Sequence, residues 1–381
     1  MEASMTPRER LKLTISGKIP DCVPAAPDFS NMIPARLTGK PFWDLYLYND
    51  PPLWEAYIAC AKHFNIDSLM DGYRPLRFPE EVAAEPPWER FIVMRDAWRI
   101  VTQNSYVDSG KRVWQPGVEV FYVADPPTWG LDPAKIGLPP VPERFEPVEG
   151  AKPADASPEG FQRAKRLMGD QGLVGAGLAG SCALYNEESI YNYYDHPELH
   201  ETWARERVEA VERRFKLIMA MDEKPDFLCV GGSGTLIFQT VPIFRQLALP
   251  AVKRAIELAT AAGFPTHIHS CGPEKELVKI MAEETALTVI DPLEIPPMGD
   301  CNLADLKRRF GHKITLKGNL HTTEVMLRGS VKDVIAASKK AIDDAAAGGR
   351  FILSTGDQCG RDTPDENLYA MIETARTYGK Y

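Results

Sequence analysis

The chain has no long apolar run. Nothing in its 381 residues approaches the roughly 20 consecutive apolar residues that span a bilayer. The opening stretch MEASMTPRERLKLTISGK lacks the apolar core of a secretory signal. There is no basic stripe either. Asp and Glu outnumber Lys and Arg, 53 to 44, for a formal net charge of −9. A nucleic-acid or anionic-membrane surface needs clustered cations, so neither partner is expected. Cysteine is sparse and odd in number: Cys22, Cys60, Cys182, Cys229, Cys271, Cys301 and Cys359. That argues against a disulfide framework and for a reducing compartment, with the cytoplasm as the expected location. A G-x-G-x-x-G turn between strand and helix is also missing. The glycines of GLVGAGLAGS, from Gly172, lack that spacing and an acidic partner.

Proline is plentiful, at 32 residues, and much of it falls between Pro126 and Pro158. That stretch cannot be regular helix or central strand, and it reads as a surface excursion. ERFIVMRDAWRIVTQ and KRVWQPGVEVFYVAD, just before it, predict an inserted hairpin. Beyond it the pattern alternates. GLVGAGL, DFLCVGG, FPTHIHS, LTVIDP, KITLKGN and RFILSTG predict strands, with helical segments between them. The last helix is expected to start with Thr363 as its cap and Pro364 in its first position. Two further strand candidates lie upstream, the proline-laden CVPAAP and NIDSLMD. Strand–helix alternation with short connections implies a parallel sheet covered by helices. About eight such units predict an α/β fold, a (β/α)8 TIM barrel with an N-terminal extension. The expectation is a single domain over 1–381, with an insertion over approximately 90–158. An open doubly wound sheet is the alternative.

In a barrel, function sits at the C-terminal strand ends. Those ends carry Asp71-Gly72-Tyr73, Gly231-Gly232-Ser233, His269-Ser270-Cys271, Asp291 with Glu294, Asn319 with His321, and Asp357-Gln358-Cys359. His269 and Cys271 share a face if both lie on extended chain. With Cys359 from the last strand they make one nitrogen and two sulfurs, the ligand set of a catalytic zinc with an open position. The bland alternative is that a buried cysteine is a small apolar residue. His267 is expected one layer deeper, as a supporting residue. Glu294 is a lone carboxylate in an apolar loop and needs a partner if buried. Asn319 and His321 could equally cap the helix that follows.

From PDFLCVGG, through FRQLALPAVKRAIELATAAGFPTHIHSCG, to GGRFILSTGDQCGRDTPDENLYAMI, the chain resembles the uroporphyrinogen decarboxylase superfamily, and in particular its zinc-dependent methyltransferase branch. The resemblance implies a (β/α)8 barrel. It also implies zinc held by a His-x-Cys pair and a distant cysteine, here His269, Cys271 and Cys359. The decarboxylase itself is a poorer match, because APDFSNMIPARLTGK carries one arginine, Arg36, and no paired-Arg clamp. GDQCGRDTP and GGSGTLIF depart from the family's plainer rim motifs.

The resulting expectation is a methyltransferase. It would move a methyl group between a small methylated donor or a thiol and a corrinoid (methylcobalamin) carried by a small partner protein. Glu294 would serve as the catalytic acid or supporting carboxylate, and Asp71, Tyr73, Ser233, Asn319 and His321 would line the substrate pocket. A homodimer is compatible with this reading. The alternatives are a metal-free carboxy-lyase, a zinc-dependent epoxide or thiol alkyl transferase, and a non-catalytic corrinoid or tetrapyrrole binder. The aromatic segment EESIYNYYDHP, from Glu187, fits a pocket wall, a carrier-docking face or plain packing.

Overall fold

The computed structural model describes residues 5–72 and 75–381. The chain divides into two compact units. One comprises residues up to Asp28, Ala61–Arg74 and Gln162–Tyr381; the other comprises Phe29–Cys60 and Pro75–Phe161.

The first unit is built on a parallel sheet of seven strands that neighbour one another in chain order. They are β1 (Ser68–Met70), β2 (Gly172–Gly177), β3 (Phe227–Cys229), β4 (Thr266–His269), β5 (Val289–Asp291), β6 (Thr315–Leu320) and β7 (Phe351–Thr355). An eighth, irregular strand closes the ring. Ala26 N donates to Leu353 O and Leu353 N to Pro24 O, both at 2.9 Å, joining this segment to β7. Asp67 N donates to Ala25 O at 2.9 Å, joining it to the start of β1. This is the CVPAAP segment. Pro24 and Pro27 bring no N–H, so the ladder shrinks to a single bridge, Ala25 to Leu353. The expected (β/α)8 architecture is therefore the one observed.

The glycines of β2 have a packing reason. A Cβ on Gly175 would fall 2.4 Å from the Phe227 ring of β3. Helices follow the strands as the sequence periodicity predicts, including His200–Ala220, Lys275–Glu284, Leu303–Phe310 and Val331–Ala345. The helical segment between β3 and β4 is broken by a wide turn at Phe244–Ala248 before Leu249–Ala261. The last helix runs Asp365–Thr377, one residue later than expected, with Pro364 at its cap. Among the described residues no helix is long and apolar enough to cross a membrane.

The barrel interior is layered. At its base Leu69, Leu173, Phe227, Val289 and Ile352 pack with Leu11 and Ile15. The last two come from an N-terminal helix, Pro7–Ile15, which plugs the lower end. Arg8 ties this plug to Gly172 O at 2.8 Å and to Asp226, and Arg10 ties it to Asp67 at 2.5 Å. Above the apolar base the inward residues are charged, and above those lies the rim.

The second unit goes further than the expected hairpin. Strands Thr128–Leu131, Val118–Tyr122, Arg99–Asp108, Glu89–Arg95 and Glu146–Pro147 form an antiparallel sheet in that order, and Lys111–Trp114 pairs with Arg99–Asp108. Alternation along one strand buries both faces. Ile100 packs with Leu47, Ile92 and Phe121, while Val101 packs with Val118 and Val120. The prolines that follow border strands as well as loops, which is why proline density alone overstated the irregular excursion.

Candidate metal centre and its supporting network

Register brings the polar groups together. His269 of β4 lies beside Asp291 of β5, and His267 beside Val289. His267 and His269 share a face, so both point into the barrel at successive levels. Asp291 is fully buried and receives three cations or donors. His267 Nε2 donates to its Oδ1 at 2.8 Å, His269 Nδ1 lies 3.4 Å from the same oxygen, and Lys317 of β6 pairs with Oδ2. On the opposite side His267 Nδ1 faces Asp71 Oδ2 at 3.3 Å, at the end of β1. Burial would raise the Asp291 pKa, but Lys317, His267 and His269 outweigh it and hold the carboxyl well below its ordinary range. Burial opposes the charge on Lys317 too, and Asp291, Asp28 and Asp71 reverse that, leaving the ammonium more firmly protonated than a free lysine. Such a buried pair is costly to break. Removing one partner typically destabilises a protein by about 3–5 kcal/mol.

The rim stands directly above. Asp28, His269 and Asp357 each bring a ligand-capable atom within 4.8 Å of the others. Asp28 ends the closing strand. Its amide donates to Thr355 Oγ1 at 3.0 Å, and its carbonyl accepts from Cys359 N at 2.8 Å. Thr355 Oγ1 in turn donates to Asp357 O at 2.7 Å. Asp357 has φ +124°, a region that non-glycine residues rarely adopt and that persists where the surroundings hold it. His269 Nε2 lies 3.7 Å from Asp357 Oδ1. Burial lowers the His269 pKa, yet Asp291, the neighbouring Cys271 and the charge of Asp28 together push it well above the ordinary histidine value. Burial raises the Asp357 carboxyl, with His269 acting against it.

Two carboxylates clasp the loops after β4 and β5. Glu294 accepts from Gly272 N at 2.5 Å, and Glu274 accepts from Leu293 N at 2.6 Å. Burial raises the pKa of both, most for Glu274, which is fully buried beside Asp291. Cys301 N closes the same corner on Glu294 O at 3.0 Å.

The residues expected from sequence fall as follows. His269, Cys271, Glu294 and Asp71 gather at the mouth, and Cys359 is buried next to Asp28. The tight three-residue group contains Asp28 and Asp357 with His269, and no cysteine is part of it. Asn319 donates to Leu293 O at 2.9 Å. His321 Nδ1 accepts from Thr323 N and Glu324 N, both at 3.2 Å, so its capping role is realised. Ser233 is exposed on the turn after β3; the hydroxyl that binds this turn is Ser181, whose Oγ accepts from Gly232 N at 3.0 Å. Tyr73 lies outside the described residues. Sequence reasoning missed Asp28, Lys317 and Glu274. Asp28 directly follows the weak first strand. Lys317 is two residues before Asn319 on the same strand face, so parity alone points it inward.

Residues 226–378 match the family model described as uroporphyrinogen decarboxylase (URO-D). That match covers less than half of the chain. Two curated relatives are each named methylcobamide:CoM methyltransferase MtbA. The one from Methanosarcina mazei is 26% identical over 170 residues, 44% of this chain and 44% of that protein. The one from Methanosarcina acetivorans is 24% identical over the same shares. The chain thus matches less than half the length of either. A solved structure described as a methyltransferase from Methanosarcina mazei superposes with a TM-score of 0.57, covering 98% of this chain and 99% of that one at 17% identity. That likeness supports the barrel fold.

Proposed function

We propose that the protein is a zinc-dependent methyltransferase that exchanges a methyl group with a corrinoid carried on a separate protein. The observation that carries the reading is the convergence, at one barrel mouth, of an oriented imidazole, a cysteine two residues on along the same segment and two carboxylates. The curated relatives, named for methyl transfer between a methylcobamide and coenzyme M, support the reaction class.

The donor set fits a zinc ion. His269 turns Nδ1 toward Asp291 and leaves Nε2 toward Asp357, which is how a carboxylate orients a ligating histidine. Cys271 is adjacent, and Cys359 is held to the Asp28 carbonyl. His269, Cys271 and Cys359 would hold the ion, with Asp28 or Asp357 within reach as an oxygen ligand. When bound, zinc lowers the pKa of a thiol so that thiolate exists at neutral pH. The chain supplies the rest. Asp291 and Lys317 fix the imidazole from below. Glu294, its pKa raised by burial, is placed to give or take a proton at the rim. Asp71, Ser233, Asn319 and His321 surround the mouth or support its loops, and the reacting partner is a small methylated compound or a thiol.

Metal analysis tests this reading. Protein prepared under reducing conditions and offered zinc should retain about one ion per chain, and Cys271→Ser and Cys359→Ser should each lose it. The wild type should also demethylate methylcobalamin in the presence of coenzyme M or another small thiol. A wild-type chain that retains no zinc would sink the proposal.

A further inference from the structure

A second pocket lies outside the metal centre and shares no residue with it. It is a cavity of about 450 Å³ between helices Glu187–Asp195 and His200–Ala220. Its apolar side is formed by Leu184, Leu247 and Trp203, which belong to one packed cluster. Its polar side carries Ser189, Asn192 and Arg207. The volume is that of a small-molecule site.

Arg207 gives the pocket its character. One terminal nitrogen, Nη2, donates to Gly180 O at 2.9 Å and to Cys182 O at 3.1 Å. Its Nε is buried and has no partner. Among the described residues no carboxylate lies within ion-pair distance of this guanidinium. Burial correspondingly lowers its pKa, a direction unusual for arginine. Nη1 makes no hydrogen bond among the described residues, and an anion in the cavity would meet it with a charge-assisted bond. Glu206 also lines the cavity and is exposed on its outer side. It disfavours multiply charged anions and leaves room for one acid group directed at Arg207.

We propose that this cavity binds a small amphipathic monocarboxylic acid, its carboxylate on Arg207 and its apolar or aromatic body against Trp203 and Leu247. One loop links the site to the C-terminal end of β3. The loop that Arg207 holds contains Ser181, whose hydroxyl pins Gly232 at the end of β3. The segment after Glu187 contributes Ser189 and Asn192 to this cavity, and its tyrosines do not line it.

Isothermal titration calorimetry on the full chain tests the assignment, with benzoate as probe and inorganic phosphate as comparison. Saturable benzoate binding is expected, at least tenfold tighter than phosphate and at least tenfold weakened in Arg207→Gln. Because Arg207 also anchors the 180–182 loop, Ala210→Leu is the second variant. It keeps Arg207 and fills the cavity from an exposed helix position, and it should weaken benzoate equally while leaving the melting temperature unchanged. No saturable benzoate binding, or binding that Ala210→Leu leaves intact, overturns the proposal. Phosphate binding as tightly as benzoate overturns the amphipathic-acid assignment.

Discussion

Glu274 is fully buried, and only its Oε2 finds a donor, the Leu293 amide. Its Oε1 is without a partner. Its folded pKa stands well above the ordinary 4.5, first through burial and then through Asp291. The folded state therefore binds more protons than the unfolded chain above that value. Stability must then fall as pH rises from about 4.5 toward the folded pKa. Glu274→Gln keeps the acceptor for Leu293 N and removes the titration. Its stability relative to wild type should improve steadily between pH 4 and pH 8 in urea unfolding; a gap that does not change with pH would contradict the assignment. At this scale the placement of His269, Cys271 and Glu294 after strands β4 and β5 was legible, because each follows a short apolar segment at a strand end. Asp28 was not, because two prolines hide the strand it terminates. Glu274 was hidden differently. A glutamate opening a helix usually faces water, and only the fold shows that this one turns inward.

The strands were the most legible elements, since most of β1 to β7 lie in short apolar-rich segments bounded by turn residues, and β4 and β6 carry their polar residues among them. The second unit was the least legible. Its strands lie among prolines, and pairing in an antiparallel sheet depends on partners that local pattern does not name. The glycine-rich run of β2 shows how composition can mislead. It has the look of a phosphate-binding loop, but Gly175 is small because Phe227 occupies the space a Cβ would need. Gly175→Ala should destabilise the protein by about 1–3 kcal/mol through overpacking. Gly177→Ala, which meets nothing within 4 Å, should change stability much less. Chemical denaturation of the two variants side by side is the measurement, and equal effects would argue against strand-to-strand contact as the cause.

For the barrel as a whole, the N-terminal helix is structural rather than an appendage. Leu11, fully buried, completes the apolar base beneath the charged layer. Leu11→Ala should cost about 2–5 kcal/mol, read as a lower urea midpoint with an unchanged slope. A loss below 1 kcal/mol would mean the plug is not part of the cooperative core. The eight-unit barrel was legible from alternation and count. The way it shuts was not, because closure rests on a few backbone bonds rather than on a run of strand residues.

That closure has a consequence for how the protein is made. The closing strand near the start of the chain delivers Asp28, and β7 near its end delivers Asp357 and Cys359. These groups meet only when the ring is shut. A ribosome-bound chain that has not yet exposed β7 holds His269, Cys271 and an Asp28 not yet locked in place, and lacks Asp357 and Cys359. If the proposed metal is bound by the full set, it would act as a latch on the finished barrel, and an ion met too early would find only half a site.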